Sequence, residues 1–402
     1  MINLKLDLLQ TLSLAAVLYF VGLQLRKRVA WLDRLNIPAA VIGGLLFTML
    51  VMVGHNRFFA VQLDTSAQST LSVAFFTSIG MGASLALLRR GGIQVGIFLA
   101  FATVFCFVQN FIGIGIARAF GENPLLGVMA GSVTLVGGPA TGMAFAPVFE
   151  TAGLAGAGAL ALAAATMGIV FGGLTGSPAG TFLIKRAGLR SSVASTAEMR
   201  AELETPEPAL IVEVEQEDTP LIRNMVILAL AMGIGSVVSG WIQSLGVTLP
   251  AYIGAMLIAS MIRNIDDATH WFRIDQRAME FIGNLALNIF LTVALMDLKL
   301  WQLAGVALPL IVILLVQVVV VVLAAITVSY ALMGRDYDSA VMSSGFVGFV
   351  LGTTANAVAN MRALVARYGP APRAFLVVPL VGAFFIDFTN AIIITFFLNW
   401  LS

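Results

Sequence analysis

A chain of 402 residues that is 59% hydrophobic and only 11% charged cannot clothe water-facing domains, since soluble domains carry about 25% charged residues. Its mean hydropathy of +0.97 means that it uses lipid as its solvent. A net charge of +1 argues against a nucleic-acid partner, the single Cys106 excludes a disulfide framework, and His55 and His270 are too few for histidine-rich metal chemistry.

A helix crossing the hydrocarbon core, about 30 Å thick, needs about 20 mostly apolar residues. In chain order the first half offers such stretches at 8–25, 37–53, 71–88, 93–117 and 154–184. The first is not expected to be a signal peptide, because its basic cluster Arg26-Lys27-Arg28 follows the apolar run. The second half offers 221–245, 249–262, 281–296, 303–333 and 374–398. Two further segments, 125–146 and 339–361, are apolar but spotted with Gly, Pro, Ser, Thr and Asn.

If those two segments dip in and return on one side, the other spans alternate and every basic residue has a side. Lys5, Arg57, Arg118 and Lys299 then face one way, and the other 18 of the 22 Lys and Arg face the opposite way. The positive-inside rule puts the 18 in the cytoplasm and both termini outside. The chain is expected to cross a membrane many times. The loop 185–220 carries Glu198, Glu202, Glu204, Glu207, Glu213, Glu215, Glu217 and Asp218 among three prolines, and reads as a cytoplasmic acidic linker.

The linker separates a five-helix repeat, 1–184, from a second, 221–402, which an odd span number turns upside down. Ile37-Pro38-Ala39-Ala40 answers Leu249-Pro250-Ala251-Tyr252, Gln109 answers Gln317, and Val128-Met129-Ala130-Gly131-Ser132 answers Val341-Met342-Ser343-Ser344-Gly345. Inverted repeats mark secondary transporters with a site near the midplane. The expected fold is therefore all-α and polytopic: ten transmembrane helices and two re-entrant hairpins in inverted-topology repeats.

Segment 125–146 contains Gly127, Gly131, Gly137, Gly138, Gly142 and Pro139, which together disfavour a continuous helix by roughly 8 kcal/mol. It is expected to break at 137–142, as the other hairpin does at 352–356. Broken backbone cannot face lipid, so both tips lie inside the protein. Helix starts there suit an anionic carboxylate, which makes Gly137, Gly138, Thr141, Gly352, Thr353, Thr354 and Asn356 candidate substrate-binding residues. Part of this small-residue content serves only close packing, as at Gly153, Gly156, Ala157, Ala161 and Ala165.

Asp387 lies deep in the last span, where an acid is expensive and calls for a partner. Asp387 and Asn390, three residues apart, are candidate Na⁺ ligands, the alternative being a structural hydrogen bond to a neighbouring helix. Asn284 and Asn288, one turn apart, and Asn360 join them; Glu280 and Asp297 fall near span ends, where water is the default. No catalytic residue is expected: an intramembrane protease needs a second deep acid or a Ser/His pair, and neither is present.

The segments that carry these candidates resemble the bacterial sodium/glutamate symporter family. They are 131–142 with Gly137-Gly138-Pro139-Ala140-Thr141-Gly142, then Leu295-Met296-Asp297-Leu298-Lys299-Leu300-Trp301, then 348–361 with Gly352-Thr353-Thr354-Ala355-Asn356, and 378–387 ending in Ile386-Asp387. The chain departs from the family pattern at Pro139, Ala140, Phe346, Ala355 and Asn356. The resemblance implies Na⁺-coupled uptake of glutamate or a related anionic amino acid by alternating access. It also implies a homodimer in the bacterial inner membrane, and a transport domain moving like an elevator against a scaffold. The partners are then a small anionic substrate, Na⁺ as coupling ion, the lipid bilayer and a second copy.

One Na⁺ entering down 100 mV and a tenfold gradient releases about 3.7 kcal/mol. An anion also works against the potential, so at least two coupling ions are expected. The alternatives are another dicarboxylate on the same fold, or H⁺ coupling through Asp387. An ion channel is a weaker alternative, because it needs a charged or carbonyl ring in each subunit.

Overall fold

A computed structural model describes residues 2–29, 32, 37–54, 59–90, 92–191, 219–245, 250–299 and 305–401. Nearly all of the acidic linker, His55, and the turns before the seventh and ninth spans lie outside the described residues. A short strand, β1 (Ile2–Leu6), leads into α1 (Leu8–Arg28), which is capped by a reciprocal pair: Asp7 accepts from the Gln10 N–H, and the Gln10 side chain accepts from the Asp7 N–H. β1 pairs in parallel with β2 (Phe59–Leu63), which follows α2 (Ala39–Gly54). The apolar-span reading gave no sign of this ribbon.

The rest of the first half is α3 (Ala67–Gly82), the short α4 (Leu85–Arg90), α5 (Gly92–Ala119), α6 (Pro124–Val128), α7 (Gly138–Thr151) and α8 (Ala157–Arg186). α6 runs on as a π-helical turn, Met129–Val133. After the linker come α9 (Thr219–Ser244), α10 (Ala251–Thr269), α11 (Gln276–Met296) and α12 (Ala307–Ala324), which continues through a π turn, Ala325–Ser329. They are followed by α13 (Tyr337–Val350), α14 (Thr354–Tyr368), α15 (Pro372–Leu380) and α16 (Ile386–Leu401). α15 and α16 are joined by a third π turn, Val381–Phe385.

Every apolar stretch proposed from sequence overlaps at least one of these helices. Six helices among the described residues are long and apolar enough to cross a membrane: α1, α5, α8, α9, α11 and α12 with its continuation. The architecture is that of an all-α, multi-pass membrane protein. α2 and α3 have 16 residues each and rise only about 24 Å. α3 ends early because α10 holds its exit open: Asn264 Nδ2 donates to the Ala83 carbonyl (3.0 Å), and the Leu85 N–H donates to Asn264 Oδ1 (2.9 Å).

The helices associate as two groups that touch sparsely. α1, α2, α3, α9, α10 and α11 pack on one another, and α5–α8 pack with α12–α16. The second group holds the largest core, with Phe98, Phe105, Phe346 and Phe349 in mutual edge contacts. Between the groups, α7 crosses α11, where Met143 and Leu162 join Leu291, Ala294 and Leu295 in one apolar cluster.

α6–α7 and α13–α14 are the two helical hairpins. They span 124–151 and 337–368, longer at both ends than the Gly-rich segments suggested. Their extra turns have ordinary helix composition: Asp336 caps α13 by accepting the Ser339 N–H at 2.9 Å.

Candidate functional site

Both hairpins break next to each other. α7 restarts at Gly138 with φ +67, a left-handed conformation that suits glycine, and a Cβ added there would lie 3.6 Å from the Gly352 carbonyl oxygen. Gly352 stands where the α14 cap begins, and Thr353 Oγ1 accepts the Asn356 N–H. Each break is braced from α8. Added Cβ atoms would lie 2.9 Å from Ala161 at Gly142 and 3.2 Å from the Ile169 Cα at Gly352.

The tips form one wall of a cavity of about 500 Å³. Gly137, Gly138, Pro139 and Ala140 line it from the first hairpin; Gly352, Thr353, Thr354 and Ala355 line it from the second. Asp387 and Gly382 enter from the last span. The facing wall is α11, which presents Gln276, Glu280, Asn284 and Asn288 at four-residue spacing, with Ser78 and Phe75 of α3 alongside. The cavity runs from the tips down to the first turn of α11.

Among the described residues no Lys, Arg or His lines this space, and the acids that line it are Glu280 and Asp387. Its positive potential comes from backbone. α7 and α14 both begin here, and first-turn N–H groups have no intrahelical acceptor. α7 has no side-chain cap either, so the Gly138 and Ala140 N–H groups are available to a ligand, while Pro139 contributes none. Two helix starts meeting in such a cleft have the chemistry to hold an anion by backbone dipoles. Asp387 is partly buried and has no hydrogen bond or ion pair among the described residues; with the Asn284 and Asn288 amides across the cavity, it offers oxygens to a cation.

Of the residues proposed from sequence, Gly137, Gly138, Gly352, Thr353, Thr354, Asp387, Asn284 and Asn288 line the cavity. Thr141, Asn356, Asn360 and Asn390 lie behind it. Thr141 packs under the tip, where an added Cβ at Gly137 would meet it at 2.5 Å. Asn356 Nδ2 donates to the Ile169 carbonyl (2.7 Å) and Asn360 Nδ2 to that of Gly172 (2.9 Å), which ties α14 to α8. Asn390 Nδ2 donates to the Ser132 carbonyl (2.9 Å), which ties α16 to the first hairpin. Asn288 Nδ2 donates to the Asn284 carbonyl, leaving its side-chain oxygen toward the cavity wall. Sequence reading set Glu280 aside as a solvated span-end acid and passed over Gln276 and Ser78. The four-residue spacing from 276 to 288 was the available signal for the first two.

A family profile described as sodium/glutamate symporter matches residues 4–370. A sodium/glutamate symporter of Escherichia coli K12 is 38% identical over 395 residues, covering 98% of each chain. One of Haemophilus influenzae is 36% identical over 386 residues, covering 95% of each. With a profile over most of its length and relatives aligned almost end to end, the chain belongs to the sodium/glutamate symporter family.

Proposed function

We propose that this protein is a secondary transporter that imports glutamate, or a closely related anionic amino acid, together with Na⁺ by alternating access. The observation that carries the site is the meeting of the α7 and α14 N-termini in one cavity without a basic side chain. The substrate's carboxylates lie against the free N–H groups at Gly138, Ala140 and the start of α14. Asp387 binds a coupling Na⁺ beside them, with the amides of Asn284 and Asn288 facing it. The hairpins enter the bilayer from opposite sides as paired parts of inverted repeats, and α5–α8 with α12–α16 move as the transport body against the other helices. The chain works as a homodimer in the inner membrane, both termini outside and the linker in the cytoplasm. The cavity reaches Gln276 and Glu280 beside the basic cluster Arg263, Arg273 and Arg277, which supports reading this as the cytoplasm-facing state.

The test is uptake of radiolabelled L-glutamate into liposomes holding the full chain, driven by an inward Na⁺ gradient. Accumulation that needs Na⁺ and is blocked by unlabelled L-glutamate is expected. Undiminished uptake with K⁺ in place of Na⁺ overturns the coupling, and inhibition by citrate but not by L-glutamate overturns the substrate.

A further inference from the structure

Behind the cavity, where α6 is distorted, five polar side chains from four elements are packed with no exposure: Gln109 and Asn110 of α5, Ser132, Gln317 of α12 and Asn390 of α16. Gly131 leaves helical geometry at φ −100, ψ −129. The next residue is gripped from two sides: the Ser132 N–H donates to Asn110 Oδ1 (2.9 Å) and its carbonyl accepts Asn390 Nδ2 (2.9 Å). Gln317 Nε2 donates to the Gln109 carbonyl (2.6 Å), and a Cβ added at Gly131 would lie 3.3 Å from that same oxygen. Gln109 Nε2 in turn donates to the Val350 carbonyl.

These bonds use the NH₂ groups of Gln109, Gln317 and Asn390 on backbone carbonyls and leave their oxygens over. Asn390 Oδ1, Gln109 Oε1, Gln317 Oε1 and the Ser132 hydroxyl are buried without a partner among the described residues, as is one donor, Asn110 Nδ2, so oxygens outnumber donors here. Such atoms are rare in a native interior, and several together point to a bound species. It accepts electron pairs from neutral oxygens and needs no carboxylate, which fits a monovalent cation better than a divalent one. The C-terminal end of α6 and its π turn points at the same place, adding the negative end of a helix dipole.

We propose that a desolvated Na⁺ binds between the Ser132 hydroxyl and the Asn390 side-chain oxygen, flanked by the oxygens of Gln109 and Gln317. This second cation site is separate from Asp387 and rests on reading the protein as a Na⁺ symporter. Its position explains coupling. The Gly137 N–H donates to the Ser132 carbonyl (3.1 Å), so the cation sits at the C-terminal end of one half of the hairpin and the substrate at the N-terminal start of the other. Filling the first braces the tip that holds the second.

The experiment measures thermal unfolding and glutamate binding of the purified full chain against Na⁺ concentration at constant total salt with K⁺. In wild type, Na⁺ alone raises the unfolding temperature. Ser132→Ala keeps its stability in K⁺, because the hydroxyl has no protein partner, but needs roughly tenfold more Na⁺ for the same effect. Ser132→Thr, which retains a hydroxyl, restores most of the response. A Ser132→Ala protein with the wild-type Na⁺ response overturns the site and leaves a buried water as the occupant. Equal loss of stability in Na⁺ and K⁺ overturns it too, since the hydroxyl is then only structural. If wild type shows no Na⁺ effect on unfolding, binding or uptake, the symport reading itself fails.

Discussion

Asp387 stands out as an acid inside an apolar run, and it lines the cavity without a protein counter-charge. Asp387→Asn keeps its shape and removes its charge, so the Na⁺ concentration for half-maximal uptake rises roughly tenfold while the protein stays folded. Measuring uptake against Na⁺ in liposomes checks this, and an unchanged curve removes Asp387 from the cation site. Asn356 and Asn360 look just as suitable in sequence, yet their NH₂ groups tie α14 to carbonyls of α8, and the NH₂ of Asn390 holds Ser132 and leaves only its oxygen over. Nothing local to a residue reveals a partner 187 or 258 positions away. At the base of the second hairpin, burial works against the charged form of Asp336, but hydrogen bonds from Ser339 and Arg373 outweigh it and hold the carboxyl below the usual range. A lowered folded-state pKa gives stability that is present at neutral pH and lost as pH falls through that lowered value. The side chain is 48% exposed, so the advantage of wild type over Asp336→Asn is under about 1 kcal/mol at pH 7. It fades in acid below about pH 4, the ordinary carboxylate pKa, and thermal unfolding of both proteins across pH measures it.

At the scale of elements, glycine content located the breaks but not what keeps them in place. Of the glycines in the first hairpin, Gly131 departs from helical geometry and Gly138 takes a positive φ, whereas Gly127 stays helical and lies against Gly113. In that contact an added Cβ at Gly113 would come within 2.1 Å of the Gly127 carbonyl oxygen, so the glycine there serves close approach of α5 and α6. The break after α3 was invisible for the opposite reason, since the side chains that hold it belong to α10. Gly168 shows how a supporting helix sets a tip. A Cβ at this position of α8 would meet the Leu351 carbonyl oxygen at 2.3 Å. Backbone on one side and a buried tip on the other leave little room to yield, so Gly168→Val pushes Leu351 and with it Gly352 out of place. Overpacking of this kind costs about 1–3 kcal/mol. The expected result is a membrane-inserted protein with a lower unfolding temperature and at least about a tenfold loss of glutamate affinity. Binding at wild-type affinity would show that the tip does not depend on α8.

At the scale of the whole molecule, α11 connects two spaces. Its first three turns line the cavity under the tips, while Ala294 and the residues just beyond its end, Asp297, Leu298 and Lys299, line a second cavity of about 440 Å³ with Glu150 of α7. Between them, Leu291 and Leu295 are sealed against Met143 and Leu162. In the elevator motion proposed above, this seal parts as the hairpins slide along α11, opening the upper space to the tips and closing the lower one. The seam also includes Gly158 of α8, where an added Cβ would lie 3.1 Å from Leu298 Cδ2. Cysteines replacing Gly158 and Leu298 are therefore close enough for a Hg²⁺ bridge in this state, and the native Cys106 is fully buried and does not compete. If the two helix groups move past each other, Hg²⁺ abolishes uptake by the double variant and a thiol reductant restores it, with each single variant unaffected. If they do not move, the bridge forms and transport continues, and the substrate must reach the far side by opening of the hairpins alone.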